Sequence, residues 1–202
     1  MTNTLTKPDS YKYFKDNKVS FITFNYDRSF EYFLYESLIN SFTTIPLQET
    51  KTKELIPFPT RHVYGVVEKL PWQDSENGIE YRSFMAAHDK YQLIEKVKDN
   101  IRIIYDRVND DIEEMKKLIR AAGRIFFLGF GFAQENLEIL GIPDVLKHQP
   151  NIYGTALGWT EKEIKDLRGY LQSQFPQKEI TPLLNNPYIK NFNCYELLRE
   201  YL

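Results

Sequence analysis

Residues 19–38 read VSFITFNYDRSFEYFLYESL, and the fold turns on how this stretch is divided. Val19 to Phe24 is rich in β-branched and aromatic residues, the composition of a short strand covered on both faces. Asn25-Tyr26-Asp27 breaks the run. Beyond it, Phe30, Phe33, Leu34 and Leu38 recur at helical spacing, with Asp27, Glu31 and Glu36 placed for solvent or the first turn. The polar triplet therefore falls where a buried strand hands over to a helix. In open α/β sheets, ligands bind outside the carboxyl ends of strands. An asparagine there offers a donor and an acceptor for a sugar hydroxyl or a water. The plainer alternative is that Asn25 or Asp27 caps the helix.

Working outward, the spacing predicts a loose tail over residues 1–17, with a short helix at Tyr11 to Asp16. A proline-bearing surface loop follows over 41–60. His62 to Val66 reads as a second buried strand, Pro71 to Gly78 as a turn-rich connection, Tyr81 to Lys98 as a helix and Ile101 to Tyr105 as a short strand. Asp110-Asp111 can cap a helix with Ile112, Met115, Leu118 and Ile119 on one face, stopped by Gly123. Ile125 to Leu128 is an apolar strand running into Gly129-Phe130-Gly131-Phe132. Asn136 to Leu140 opens another helix, and Ile152 to Leu157 is a further strand. Thr160 and Glu163 form a capping box for a helix with Ile164, Leu167 and Leu171 inward. Tyr188 to Phe192 and Tyr195 to Leu202 read as a last strand and helix. Apolar strands alternating with helices predict an α/β domain over 18–202, a three-layer Rossmann-like fold with a mainly parallel sheet.

Composition narrows the function. The 202 residues carry a net charge of −2, which removes the main electrostatic argument for a nucleic-acid binder. A single cysteine, Cys194, excludes an internal disulfide framework and a cysteine zinc cluster, and is expected as a small buried apolar residue. No signal-peptide core and no membrane-length apolar run is present, so a cytoplasmic setting without membrane contact is expected.

Three strand ends are candidates for one crevice: Asn25-Tyr26-Asp27, Tyr64-Gly65 and Gly129-Phe130-Gly131. A Gly-x-Gly after a buried strand lets a ligand approach the backbone and leaves amides free; a tight turn without a ligand explains it equally. The runs Ile22-Thr23-Phe24-Asn25-Tyr26-Asp27, His62-Val63-Tyr64-Gly65 and Phe126 to Phe132 followed by Asn136 resemble, in order and spacing, the sirtuin-like NAD-binding domains of bacteria, over about residues 18–160. Several members of that family are NAD hydrolases of antiviral (anti-phage) defence. The resemblance implies that Asn25 lies beside the nicotinamide ribose, that Asp27 is the acidic residue after it, and that Gly65, Gly129, Phe130 and Gly131 line the nucleotide. It implies NAD as substrate or ligand, with no metal. Cleavage of an N-glycosidic bond suits such a site, which need only orient the ribose, stabilise an oxocarbenium-like state and place a water.

Three departures qualify the resemblance. Tyr64 stands where the family has its catalytic histidine, and a tyrosine, with a reference pKa of about 10, is a poor base near neutrality. His62, two residues earlier, is either a substitute, if the strand slips or the ligand sits deeper, or a satisfied core or rim histidine; on a continuous strand it would share Tyr64's face about 7 Å back. No glycine precedes Gly65, so either this chain is the C-terminal part of a longer domain or the family's N-terminal glycine-rich phosphate loop is expected to be lost. The four cysteines of the deacetylase branch are missing too. The expected function is therefore a sirtuin-like NAD-binding domain with weak NAD hydrolysis or none alone, through Asn25, His62 and Tyr64. The alternative is a non-catalytic nucleotide-binding or assembly module. A sheet lacking its first strand would also expose an apolar edge, which predicts self-association or binding of a separate N-terminal segment.

Overall fold

Short apolar runs separated by helical stripes give five strands and six helices among the described residues of the computed structural model. Those residues are 17–41, 60–67, 69–74, 76, 78–79, 81, 91, 94, 98, 109–146, 150–174 and 186–202. The expected helix at 11–16, the loop over 41–60 apart from its ends, most of the 81–98 helix and the 101–105 strand lie outside them. The chain groups into two compact units, with the break between Asp111 and Ile112.

In the N-terminal unit, β1 (Phe21–Thr23) pairs in parallel with β2 (Thr60–His62), and Thr23 stands opposite His62. β1 is shorter than the expected Val19–Phe24, and β2 lies earlier than the expected His62–Val66, sharing only His62 with it. β2 stops at His62 because Val63-Tyr64 turns, and Gly65, at φ +77°, lies in the left-handed region. His62 and Tyr64 therefore do not alternate along one strand, and the 7 Å spacing expected of them does not apply.

Helix α1 (Ser29–Ser41) follows β1, but its buried stripe is Glu31, Tyr35 and Leu38. Of the expected stripe only Leu38 is buried; Phe30 and Phe33 are exposed, Phe33 at 53%, and Glu31, expected toward solvent or the first turn, is only 2% exposed. Glu31, Tyr35 and Leu38 are spaced i, i+4, i+7, as good a helical face as the apolar one. Tyr35 stacks on Trp72 at 3.9 Å, which fixes that face inward. The indole belongs to a turn after Leu70, closed by Gln73 and Asp74 amides donating to the Leu70 carbonyl.

The C-terminal unit carries β3 (Arg124–Phe127), β4 (Asn151–Thr155) and β5 (Tyr188–Lys190), all parallel in the order β3-β4-β5. The parallel pairing agrees with the sequence reading, although the described strands form two ladders rather than one. Parallel neighbours need crossovers. β3 and β4 are joined through α3 (Gln134–Ile139) and α4 (Ile142–Val145), β4 and β5 through α5 (Glu161–Ser173). The amphipathic α2 (Asn109–Ala121) precedes β3, burying Met115 and Ile119. Asp110 and Asp111 lie inside its first turn rather than ahead of it. Gly123 follows its end without a left-handed φ, so α2 stops without a glycine cap of that type. α5 matches its reading: Thr160 and Glu163 close a capping box, and Ile164, Leu167 and Leu171 are buried.

A second capping box, Asn193 with Glu196, opens α6 (Cys194–Tyr201). Cys194 is exposed, contrary to expectation. It occupies the first position of α6, and Leu197 takes the buried one.

At the start of β4, Asn186 is 2% exposed and does the work of a strand residue. Its Oδ1 accepts from Ile152 N at 2.9 Å and its Nδ2 donates to the Pro150 carbonyl at 2.8 Å. A side-chain amide has the donor and acceptor of a peptide group, so it can stand in for one. The Asn186–Pro187 peptide bond is cis.

Candidate functional site

The register of β1 against β2 sets their carboxyl ends side by side, and the residues just beyond them form a polar cluster. His62 Nδ1 donates to the Asn25 carbonyl at 2.6 Å, while His62 Nε2 lies 2.8 Å from Glu31 Oε1. Arg28 Nε reaches the same Glu31 oxygen at 3.0 Å. Arg28 also donates to the Gln73 side-chain oxygen, which accepts in addition from Leu70 N at 3.0 Å. The Val63 amide donates to the Thr23 carbonyl and the Val67 amide to the Tyr26 carbonyl, lacing the two strand ends together.

Burial alone pushes the Glu31 carboxyl up. The His62 hydrogen bond and the Arg28 and His62 charges outweigh it, and the carboxyl ends below its ordinary range. An ionised Glu31 can only accept, and so can the Asn25 carbonyl. His62 fills both bonds only with a proton on each nitrogen. As placed, both ring nitrogens are engaged, and its geometry is that of a clamp between α1 and the strand ends. Glu31 Oε2 is buried with no hydrogen-bond partner.

Asp27 Oδ1 accepts from Ser29 N at 2.9 Å and so caps α1. The Ser29 bonds, aided by the His62 charge, hold its carboxyl below the usual range. The Asn25 amide N–H donates to Thr23 Oγ1 at 3.1 Å. Asn25 is exposed, and among the described residues its side-chain amide makes no hydrogen bond. Tyr64 is half-buried, edge-on to Phe24 with ring centroids 5.6 Å apart.

The third motif belongs to the C-terminal unit. Gly129 (φ +61°), Gly131 (+71°) and Phe132 (+53°) all lie in the left-handed region at the end of β3. Open space surrounds both glycines on the side where a Cβ would project. Their need is conformational. The Gly129 amide is not free for a ligand, contrary to expectation, since it donates to Thr155 Oγ1 at 2.8 Å. Thr155 is buried, and its hydroxyl donates in turn to the Phe127 carbonyl at 3.4 Å.

A left-handed phenylalanine costs on the order of 1–3 kcal/mol. Burying its ring returns roughly 1.5–3 kcal/mol. Phe132 is buried against Phe127 and Phe130, with Gly154 leaving room: a Cβ at Gly154 would lie 2.8 Å from the Phe132 ring. The two effects are of one size, so the loop's shape rests on that fit.

The structure thus joins Asn25, Asp27 and His62 at one pair of strand ends, with Tyr64 and Gly65 in the adjoining turn. Gly129, Phe130 and Gly131 form a separate loop of the other unit. Sequence reading missed Arg28, Glu31 and Gln73 in the first cluster and Thr155 in the second. The only signal for Glu31 was its i, i+4, i+7 relation to Tyr35 and Leu38. Among the described residues no group of three or more His, Cys, Asp or Glu side chains could hold a metal ion, and no helix is long and apolar enough to cross a membrane. No family model, curated protein or solved structure matches the chain.

Proposed function

We propose that this chain is a sirtuin-like nucleotide-binding domain, its two parallel ladders belonging to a Rossmann-like fold, and that Asn25 meets the ribose of NAD. One observation carries the reading. The parallel register of Thr23 against His62 places an exposed asparagine, its amide unengaged, at a pair of strand carboxyl ends. That is the position from which α/β sheets address ligands. The residues fit a ribose better than a phosphate. The described cluster offers an amide, a carboxylate at Asp27 and a clamped imidazole, and its one guanidinium, Arg28, is buried on Glu31 and Gln73.

NAD hydrolysis by the chain alone is weak or absent in this reading. The general-base step, typically worth ~10²–10⁴-fold, has no free base in His62. Tyr64 replaces the family's histidine. The same two facts favour the second reading, a nucleotide-binding module without turnover. Incubation of the purified chain with NAD, following free nicotinamide by chromatography and binding by calorimetry, tests both. The expected result is binding that Asn25→Ala removes, with nicotinamide release at trace level. Absence of NAD binding would sink the nucleotide reading. Rapid release lost in Asn25→Ala would overturn the weak-activity part and require His62 to leave Glu31 during turnover.

A further inference from the structure

We propose a second, independent site in the C-terminal unit: a cationic, tyrosine-walled groove that takes a phosphate ester of nucleotide size. The groove has a volume of about 510 Å³, and Lys165, Arg168, Gln172, Tyr188, Lys190 and Tyr201 line it. That is within the usual range of small-molecule sites, ~300–1,000 Å³. It lies where the outer face of α5 meets β5 and the end of α6.

Three cations converge there on a chain of net charge −2. Among the described residues none of the three has a carboxylate within ion-pair distance. On α2, by contrast, Lys116 pairs with Glu113 and Lys117 with Glu114. Unpaired like charges repel, and an anion between them relieves that repulsion. Arg168 is already held in place, because its Nη2 donates to the Ile189 carbonyl, so less side-chain freedom is lost when it binds. Its Nε is buried without an acceptor, an unmet cost that a nearby anion's field offsets.

The Ile189 contact also decides what kind of occupant fits. Ala156 N donates to the Lys190 carbonyl, so that carbonyl faces β4 and the Ile189 carbonyl faces away from it. Arg168 occupies that outward carbonyl, which blunts β5 as a template for an added strand. The groove then recognises through side chains. Its aromatic wall is Tyr188 and Tyr201, backed by Tyr153, which stacks on Tyr188 at 5.1 Å and touches Tyr201. Guanidinium and ammonium groups take the phosphate, and the tyrosines take a flat ring. Glu200 sits beside Tyr201 and disfavours a second negative group at that end.

Calorimetric titration of the full chain with adenosine monophosphate, inorganic phosphate and adenosine tests this. Adenosine monophosphate should bind more tightly than inorganic phosphate, adenosine should not bind, and affinity should fall with added salt. The double variant Lys165→Gln/Lys190→Gln should weaken binding at least tenfold with an unchanged melting temperature. Arg168→Lys should weaken it further while keeping the charge. Asn25→Ala should leave it intact, which separates this site from the proposed ribose contact. Failure of adenosine monophosphate and phosphate to bind at millimolar concentration would overturn the proposal. So would binding unaffected by the lysine pair, binding lost in Asn25→Ala alone, or adenosine binding as well as its phosphate.

Discussion

The two units close their strand ends in opposite ways. In the N-terminal unit the closing group is built on an ion pair: Glu31 and Arg28 with His62, all nearly buried, with one carboxylate oxygen shared by the guanidinium and the imidazole. In the C-terminal unit they are neutral: the Asn186 amide and the Thr155 hydroxyl, each bonded to main-chain groups of the ladder. A neutral staple matches the groups it replaces and asks nothing of pH. An ionic one must hold desolvated charges together, which makes it strong only while complete. The difference is open to separate measurement because the chain has two tryptophans, Trp72 in one unit and Trp159 in the other. Trp159→Phe and Trp72→Phe backgrounds therefore report each unit in turn.

The largest effect is expected from Glu31→Gln. Removing one partner from a buried ion pair typically costs about 3–5 kcal/mol. The loss should show in urea unfolding followed by Trp72 fluorescence, with the Trp159 signal much less affected. Equal loss at both reporters would erase the contrast between the units. Asn186→Ala is the converse experiment. It strands the Ile152 amide and the Pro150 carbonyl, at about 1–3 kcal/mol for each unsatisfied buried group before relaxation. The Trp159 transition should move, and a silent variant would mean that the Asn186 side chain does not staple the start of β4.

Gly154→Ala probes the aromatic lock of the glycine loop. The added methyl meets the Phe132 ring and Ile189 Cδ1 at 2.8 and 2.6 Å, and overpacking of this kind costs about 1–3 kcal/mol. A neutral outcome by thermal denaturation would show that the left-handed Phe132 does not depend on that fit. The smallest effect is expected from acid. Glu31 is held below its ordinary value of 4.5, so its contribution is full above that value and is lost as pH falls through the lower folded value. Unfolding at pH 5 and pH 3 should therefore narrow the wild-type advantage over Glu31→Gln at Trp72. Glu163 in the α5 capping box gives the C-terminal unit a dependence of the same sign, but the group is exposed and its share is small.

What the sequence made legible follows the same divide. The strands of the C-terminal unit and its helices other than α4 were readable because their apolar residues do the burying: Ile164, Leu167 and Leu171 in α5, Ile152 in β4, Met115 and Ile119 in α2. Boundaries slipped by one or two residues, since an apolar run does not say where its hydrogen bonds stop. The N-terminal unit defeats the rule that charge faces water. α1 has two usable faces, and the inward one carries Glu31 because Arg28 and His62 complete it. Those partners are three and thirty-one residues away, so only one is visible in a helical window. Asn25, Asp27 and His62 were legible as a group through the order of the motifs. Their division of labour was not: Asp27 caps, His62 clamps, and Asn25 alone keeps an unengaged side chain.

The Gly129 amide has a consequence for timing. An amide in a solvent-facing glycine loop ordinarily trades its hydrogen with water on every small excursion of the loop. This one is bonded to a buried hydroxyl of β4, which is bonded in turn to the last residue of β3. Its hydrogen is released only when the two strands part at that end. A label at Gly129 is therefore a clock for the opening of the sheet, carried on the part of the unit that looks most free to move.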